Sequence, residues 1–177
     1  MTSTLSRPTR HSHLPTRLRP ADLLRITDQG VADVLDGRYD HLLPRSWDAT
    51  RHESVRLHSD DDIDLWLVSW SSEKITELHD HAGSLGALTV VSGSLREYHW
   101  TGDRLRVRTL DEGDQASFPL GWVHDLMRNP TPPGEPARST PTLTVQAYAP
   151  ALTAMSYYEV TGRGLRRTRT ELTDQPE

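Results

Sequence analysis

The chain contains no cysteine. That excludes disulfides, zinc–thiolate sites, iron–sulfur clusters and thiol nucleophiles together. Any metal must be held by His, Asp or Glu. The chain also lacks an apolar run of about 18 residues, so no membrane-spanning helix is expected. Basic residues near the N-terminus precede no apolar core, so no secretory signal is expected, and a cytoplasmic location follows as the default. A basic face is missing too. The net charge is −5, and the one basic run, Gly162 to Arg167, reads as a solvated segment. Neither a nucleic-acid nor a membrane partner is therefore expected. The single lysine, Lys74, suggests no function.

What is present fits one ordinary domain of 177 residues. Residues 1–19 are rich in Ser, Thr, Arg, Pro and His without apolar periodicity, and read as a disordered tail. Residues 162–177 read as a flexible C-terminal tail. The folded domain is expected over residues 20–161, as a monomer.

Pro20 opens a helical pattern in which Leu23, Leu24, Val31, Val34 and Leu35 recur at helical spacing. Gly30 in its middle predicts a split into short N-terminal helices. From Ser54 onward the pattern changes to short apolar or alternating runs divided by turn residues. Ile63 to Trp70 is apolar on both faces, as in a buried strand. Ala87 to Val91 and Leu95 to Trp100 flank a turn at Gly93. Arg104 to Thr109 alternates, which predicts Leu105 and Val107 inward and the arginines outward. Leu143 to Tyr148 and Met155 to Val160 complete the strands, and residues 129–141 read as a long surface loop. Many short strands with helices confined to the front predict an all-β sandwich or barrel.

The chemistry centres on Glu77-Leu78-His79-Asp80-His81. Side chains two apart on a strand share a face, so His79 and His81 can grip one metal from adjacent positions. Such a pair is common by chance; His11 and His13 form another in the N-terminal tail. The surroundings add weight. Gly93 lies twelve residues after His81, and Gly113, Pro119, Gly121 and His124 follow in order. This succession matches the two motifs of the cupin jelly-roll β-barrel. Two departures stand out. Gly86 occupies the place where cupins usually carry a Glu ligand, and the closing Asn falls one residue late, at Asn129. Three neutral imidazoles would leave half of an octahedral sphere open to ligands. Their type alone does not choose among iron, zinc, nickel and copper.

Within the cupins the sequence resembles the cysteine dioxygenase family of thiol dioxygenases, in its bacterial branch. The likeness runs from about Arg56 to Val160. It is carried by Leu67-Val68-Ser69-Trp70, His79 to Gly86, Val91 to Glu97 and Tyr148 to Met155. The resemblance implies iron(II) on His79, His81 and His124, with a small thiol and dioxygen as reactants and a sulfinic acid as product. Cysteine is the leading substrate; 3-mercaptopropionate, or a cupin that binds a metal or small ligand without turnover, are the alternatives. It further implies an arginine for the substrate carboxylate, best matched by Arg56, since a guanidinium makes a two-pronged contact with a carboxylate. The family's Ser-x-His-x-Tyr relay reads Thr144-Val145-Gln146-Ala147-Tyr148 here. Tyr148 is kept, but Gln146 replaces the relay histidine and cannot take up a proton near neutral pH. Trp70 and Trp122 read as wall residues.

Overall fold

The computed structural model describes residues 18–48, 50–71, 77–130 and 141–176. One helix precedes eleven strands. Helix α1 spans Pro20–Leu35. The strands are β1 (Glu53–Ser59), β2 (Asp64–Trp70), β3 (His79–Asp80), β4 (Leu85–Ser92), β5 (Ser94–Trp100), β6 (Leu105–Asp111), β7 (Gln115–Phe118), β8 (His124–Arg128), β9 (Thr142–Ala149), β10 (Ala154–Thr161) and β11 (Gly164–Leu172). They form a five-stranded sheet, β1-β2-β9-β4-β7, and a six-stranded sheet, β11-β10-β3-β8-β5-β6. The expected all-β jelly-roll architecture is thus present. No described helix is long and apolar enough to cross a membrane.

The five-stranded sheet has two unlike faces. Strand side chains alternate, and on β2 and β9 the odd-numbered Leu65, Leu67, Val145 and Ala147 pack outward against α1 with Leu23. The even-numbered Trp66, Val68, Trp70 and Tyr148 face the barrel interior, where they meet Leu88, Leu95, Leu126 and Met155. β2 is buried along its whole length, as its two-sided apolar run predicts.

Three expectations need correction. The front helix is not split at Gly30. It is one helix, and Gly30 sits where it crosses the sheet: a Cβ there would meet Val145 Cγ1 at 2.8 Å. The glycine thus serves close packing and not a helix stop. On β6 the alternation is inverted. Leu105 is 40% and Val107 56% exposed, while Leu110 is buried. The register pairs Arg108 with Glu97, which is fully buried, and a buried carboxylate needs a cation more than an edge strand needs another aliphatic contact.

Residues 162–177, thirdly, are not a loose tail. Gly164–Leu172 pairs antiparallel with β10 along its length. The side chains of β11 are almost all exposed, so composition alone resembles a solvated segment. Backbone pairing and cross-strand contacts hold it instead. Arg166 meets Glu159, Arg169 meets Glu77 and Glu171, and the Arg169 guanidinium lies 3.7 Å from the centre of the Tyr157 ring. At the other end, residues 1–17 lie outside the described residues, while Leu18 packs against the helix-side core and Arg19 caps α1. Most of the expected 129–141 loop, residues 131–140, also lies outside them.

Candidate metal centre

Strand pairing brings the three histidines together. His79 on β3 stands directly opposite His124 on β8, and His81 follows two residues on. Asp80 between them points the other way. Its carboxylate accepts hydrogen bonds from the Ala82 backbone N–H at 3.0 Å and the Tyr158 hydroxyl at 2.7 Å, which holds the turn leaving β3. The rings of His79, His81 and His124 lie 4.9–5.3 Å apart, centre to centre. Their ligand nitrogens all fall within 4.8 Å of one another, and all three residues are buried.

Each ring is turned by its surroundings. His79 Nδ1 donates to the Glu77 carbonyl at 2.8 Å, which leaves Nε2 as the lone-pair nitrogen. His124 Nδ1 lies 3.3 Å from Glu97 Oε1, a charge contact outside hydrogen-bond geometry, and among the described residues neither of its buried ring nitrogens has a hydrogen-bond partner. Glu97 also receives Arg108 Nε and, at 3.0 Å, Trp122 Nε1. Burial pushes the Glu97 pKa up, but the contacts with His124, Arg108 and Trp122 outweigh it and hold the group at about 2. Burial lowers His124 despite Glu97. Burial, reinforced by His124 and His79, puts His81 well below the ordinary histidine range. His81 and His124 are therefore neutral at pH 7, the form that ligates metal. Buried ring nitrogens without a partner, gathered in one group, are the donor set that a divalent cation fits.

Gly86 packs closely against this group and supplies no ligand of its own. A Cβ there would lie 3.1 Å from His81 Nδ1 and 3.0 Å from the Phe118 ring. A fourth side-chain ligand at this position would have to displace those neighbours.

Thr144, Gln146 and Tyr148 share the inner face of β9, as their spacing predicts. The Tyr148 hydroxyl donates to Gln146 Oε1. Gln146 Nε2 donates to Thr144 Oγ1 at 3.2 Å, and Trp70 Nε1 donates to the same oxygen at 3.0 Å. The chain fixes the amide so that its carbonyl faces the tyrosine. The Tyr148 ring centre lies 4.9 Å from that of His81. Trp70 thus packs in the wall, whereas Trp122 stacks on His99 and steadies Glu97.

Arg56 is placed differently. It pairs with Trp66 across β1 and β2, and its guanidinium lies 4.4 Å from the Trp66 ring centre. It already holds a carboxylate, however. Asp174, just beyond β11, accepts from Arg56 Nη2 at 2.9 Å through its side chain and at 3.2 Å through its backbone carbonyl. The buried Pro176 follows.

Sequence reasoning missed Glu97, Asp174 and Asp64. Glu97 left a signal, since it shares a strand face with the apolar Leu95. Asp174 left none, because its partner is 118 residues away.

Residues 44–121 match the family model described as cysteine dioxygenase type I. The matched span contains His79 and His81 and ends before His124. Among solved structures, the chain is similar to KdgF from Halomonas sp. (16% identity over 63% of this chain and 90% of that one, TM-score 0.48). It is also similar to a double-stranded β-helix protein from Klebsiella pneumoniae (18% identity over 73% and 93%, TM-score 0.47). A cupin superfamily protein from Desulfitobacterium hafniense shows 10% identity over 59% and 82%, with a TM-score of 0.46. No curated protein matches the chain. Through its residues 44–121, the chain is similar to the cysteine dioxygenase family.

Proposed function

We propose that the protein is an iron(II)-dependent thiol dioxygenase with L-cysteine as its leading substrate. One observation carries this reading: three buried imidazoles converge beside Tyr148, with no fourth side-chain ligand at Gly86. The reaction balances as one thiol plus one dioxygen giving one sulfinic acid, both oxygen atoms ending on sulfur. Iron held by His79, His81 and His124 would supply the one-electron chemistry that lets dioxygen react with a closed-shell thiolate.

The protein's own groups do the rest. Neutral ligands keep the centre's charge positive, which favours a thiolate over a thiol. Glu97 and the Glu77 carbonyl hold two of the rings in orientation. Tyr148 has its one proton committed to Gln146, so its oxygen offers the site lone pairs rather than a hydrogen. Gln146 orients this hydroxyl but moves no proton near neutral pH. Asp174 engages Arg56 through Nη2, and the other N–H groups of the guanidinium could still meet a substrate carboxylate.

Gln146 is also the observation that favours the second reading, a cupin that binds metal or a small ligand without turnover. Metal analysis and an oxygen electrode separate the two. Iron close to one per chain, with oxygen uptake on cysteine and a sulfinate product, supports the dioxygenase. The same iron content with no uptake for cysteine or 3-mercaptopropionate overturns it in favour of the binding protein.

A further inference from the structure

Asp64 opens β2 and is only 2% exposed. Its Oδ1 is buried without a hydrogen-bond partner, and no ion pair to it occurs among the described residues. A carboxyl group taken out of water in this way is costly unless something arrives to meet it. Two positions along the same strand, Trp66 is 4% exposed, and its Nε1, a donor only, is likewise buried without a partner. The same wall thus holds an unmet acceptor and an unmet donor.

Register shows where they face. Asp64 stands directly opposite Tyr148 on β9, and Tyr148 stands opposite Gly86 on β4. Residues paired this way share a sheet face. Asp64 therefore lies on the interior wall, in the row that runs through Tyr148 to Gly86, which packs beside His81. Trp66 lies in the next row, opposite Gln146 on one side and Arg56 on the other. Residues two apart on a strand are separated by about 6.5–7 Å. A ligand spanning them needs a hydrogen-bond donor, preferably a cation, at one end and an acceptor, preferably an anion, at the other. The ammonium and carboxylate of an α-amino acid meet that requirement, with a hydrogen bond at each end. Tyr148 adds a second acceptor in the Asp64 row, because its proton goes to Gln146.

We infer that Asp64 and Trp66 form a recognition pair for the zwitterionic head of an α-amino thiol acid, Asp64 taking the ammonium and Trp66 Nε1 a carboxylate oxygen. This rests on the thiol dioxygenase reading and narrows it. Asp64 rejects a thiol acid without an amine, because such a ligand leaves the buried carboxyl unmet. Trp66 discriminates against an amino thiol without a carboxylate. Arg56, in the same row as Trp66, is already paired through Nη2 with Asp174.

The test is anaerobic titration calorimetry on the iron-loaded full chain with cysteine, cysteamine and 3-mercaptopropionate. The parent is expected to bind cysteine at least about 10-fold more tightly than either truncated thiol, the scale of one hydrogen bond to a charged group. Asp64→Asn is expected to shrink the preference for cysteine over 3-mercaptopropionate by about 10- to 100-fold. Trp66→Phe is expected to shrink the preference for cysteine over cysteamine by about 5- to 10-fold. Equal affinity of the parent for the three thiols overturns the inference, as does a loss in Asp64→Asn that falls equally on cysteine and 3-mercaptopropionate. Should the variants fail to fold, the parent's ranking of the three ligands decides alone. Binding with equal affinities removes only the recognition pair, whereas a parent that binds none of the thiols removes the dioxygenase reading with it.

Discussion

The ladder of β2 and β9 has one face built for stability and one built for chemistry, from the same consecutive residues. On the helix side stand Leu65, Leu67, Val145 and Ala147, all aliphatic and buried, with Gly30 of α1 fitted against them. On the barrel side stand Asp64, Trp66, Thr144, Gln146 and Tyr148. These are equally buried, but they are hydrogen-bonded to one another or left with unmet polar atoms. Burial therefore does not distinguish the faces; satisfaction of polar groups does. An aliphatic face gains from every contact removed from water. The barrel face carries polar groups that cost stability unless a ligand or neighbour engages them. Changes on the two faces should then have separable effects.

The largest effect is expected on the barrel side. His124→Ala removes one of the three proposed ligands and should abolish metal retention, read as metal per chain after dialysis, while circular dichroism stays that of the parent. Loss of fold together with metal would break the separation of the faces. Next comes the helix side. Leu67→Ala empties a fully buried site and should cost about 2–5 kcal/mol in urea unfolding, with metal stoichiometry of the folded protein unchanged.

Glu97→Gln falls between the two, since it loosens the His124 ring without removing a ligand. Metal affinity, measured by competition with a chelator, should drop about 10- to 100-fold. The same variant carries a pH signature. Glu97 is held at about 2 against an ordinary value of 4.5, so its contribution to stability is full above about pH 4.5. It is lost as the pH falls toward 2. Acid unfolding of the parent should accordingly be steeper over that window than that of Glu97→Gln. The smallest effect is expected at the rim. Asp174→Ala frees Arg56 from an exposed pair, with side chains 38% and 70% exposed, and such pairs contribute about 0–1 kcal/mol. Affinity for 3-mercaptopropionate should rise no more than about fivefold, with the melting temperature unmoved. A larger gain would mean that the C-terminal segment controls the site rather than trims it.

How much of this was legible in advance varies with the range of each contact. The period-two alternation of β2 and β9, the helical period of α1 and the His79/His81 spacing are local, and each predicts which side chains share a face. The inverted β6 is the instructive failure. Its alternation is just as clear, yet periodicity specifies two faces without saying which turns inward. Buried Glu97, eleven residues earlier, drew Arg108 in. β11 was misread for the opposite reason, because a strand held mainly by its backbone and surface charges carries no apolar pattern. Asp64 lay inside the run Ile63 to Trp70, read as a strand apolar on both faces; only its register with Tyr148 shows that it faces the interior.

The sequence by itself determined the all-β class, the absence of disulfides and protein thiols, and which three histidines form the candidate metal group, because these depend on residue type and short spacings. Tertiary structure alone decided that Glu97 steadies His124, that Asp174 rather than a free mouth faces Arg56, and that Asp64 and Trp66 stand unmet on the inner wall. Those contacts join residues tens of positions apart, or depend on which face of a strand is sealed, and strand pairing fixes both only once the sheets have closed.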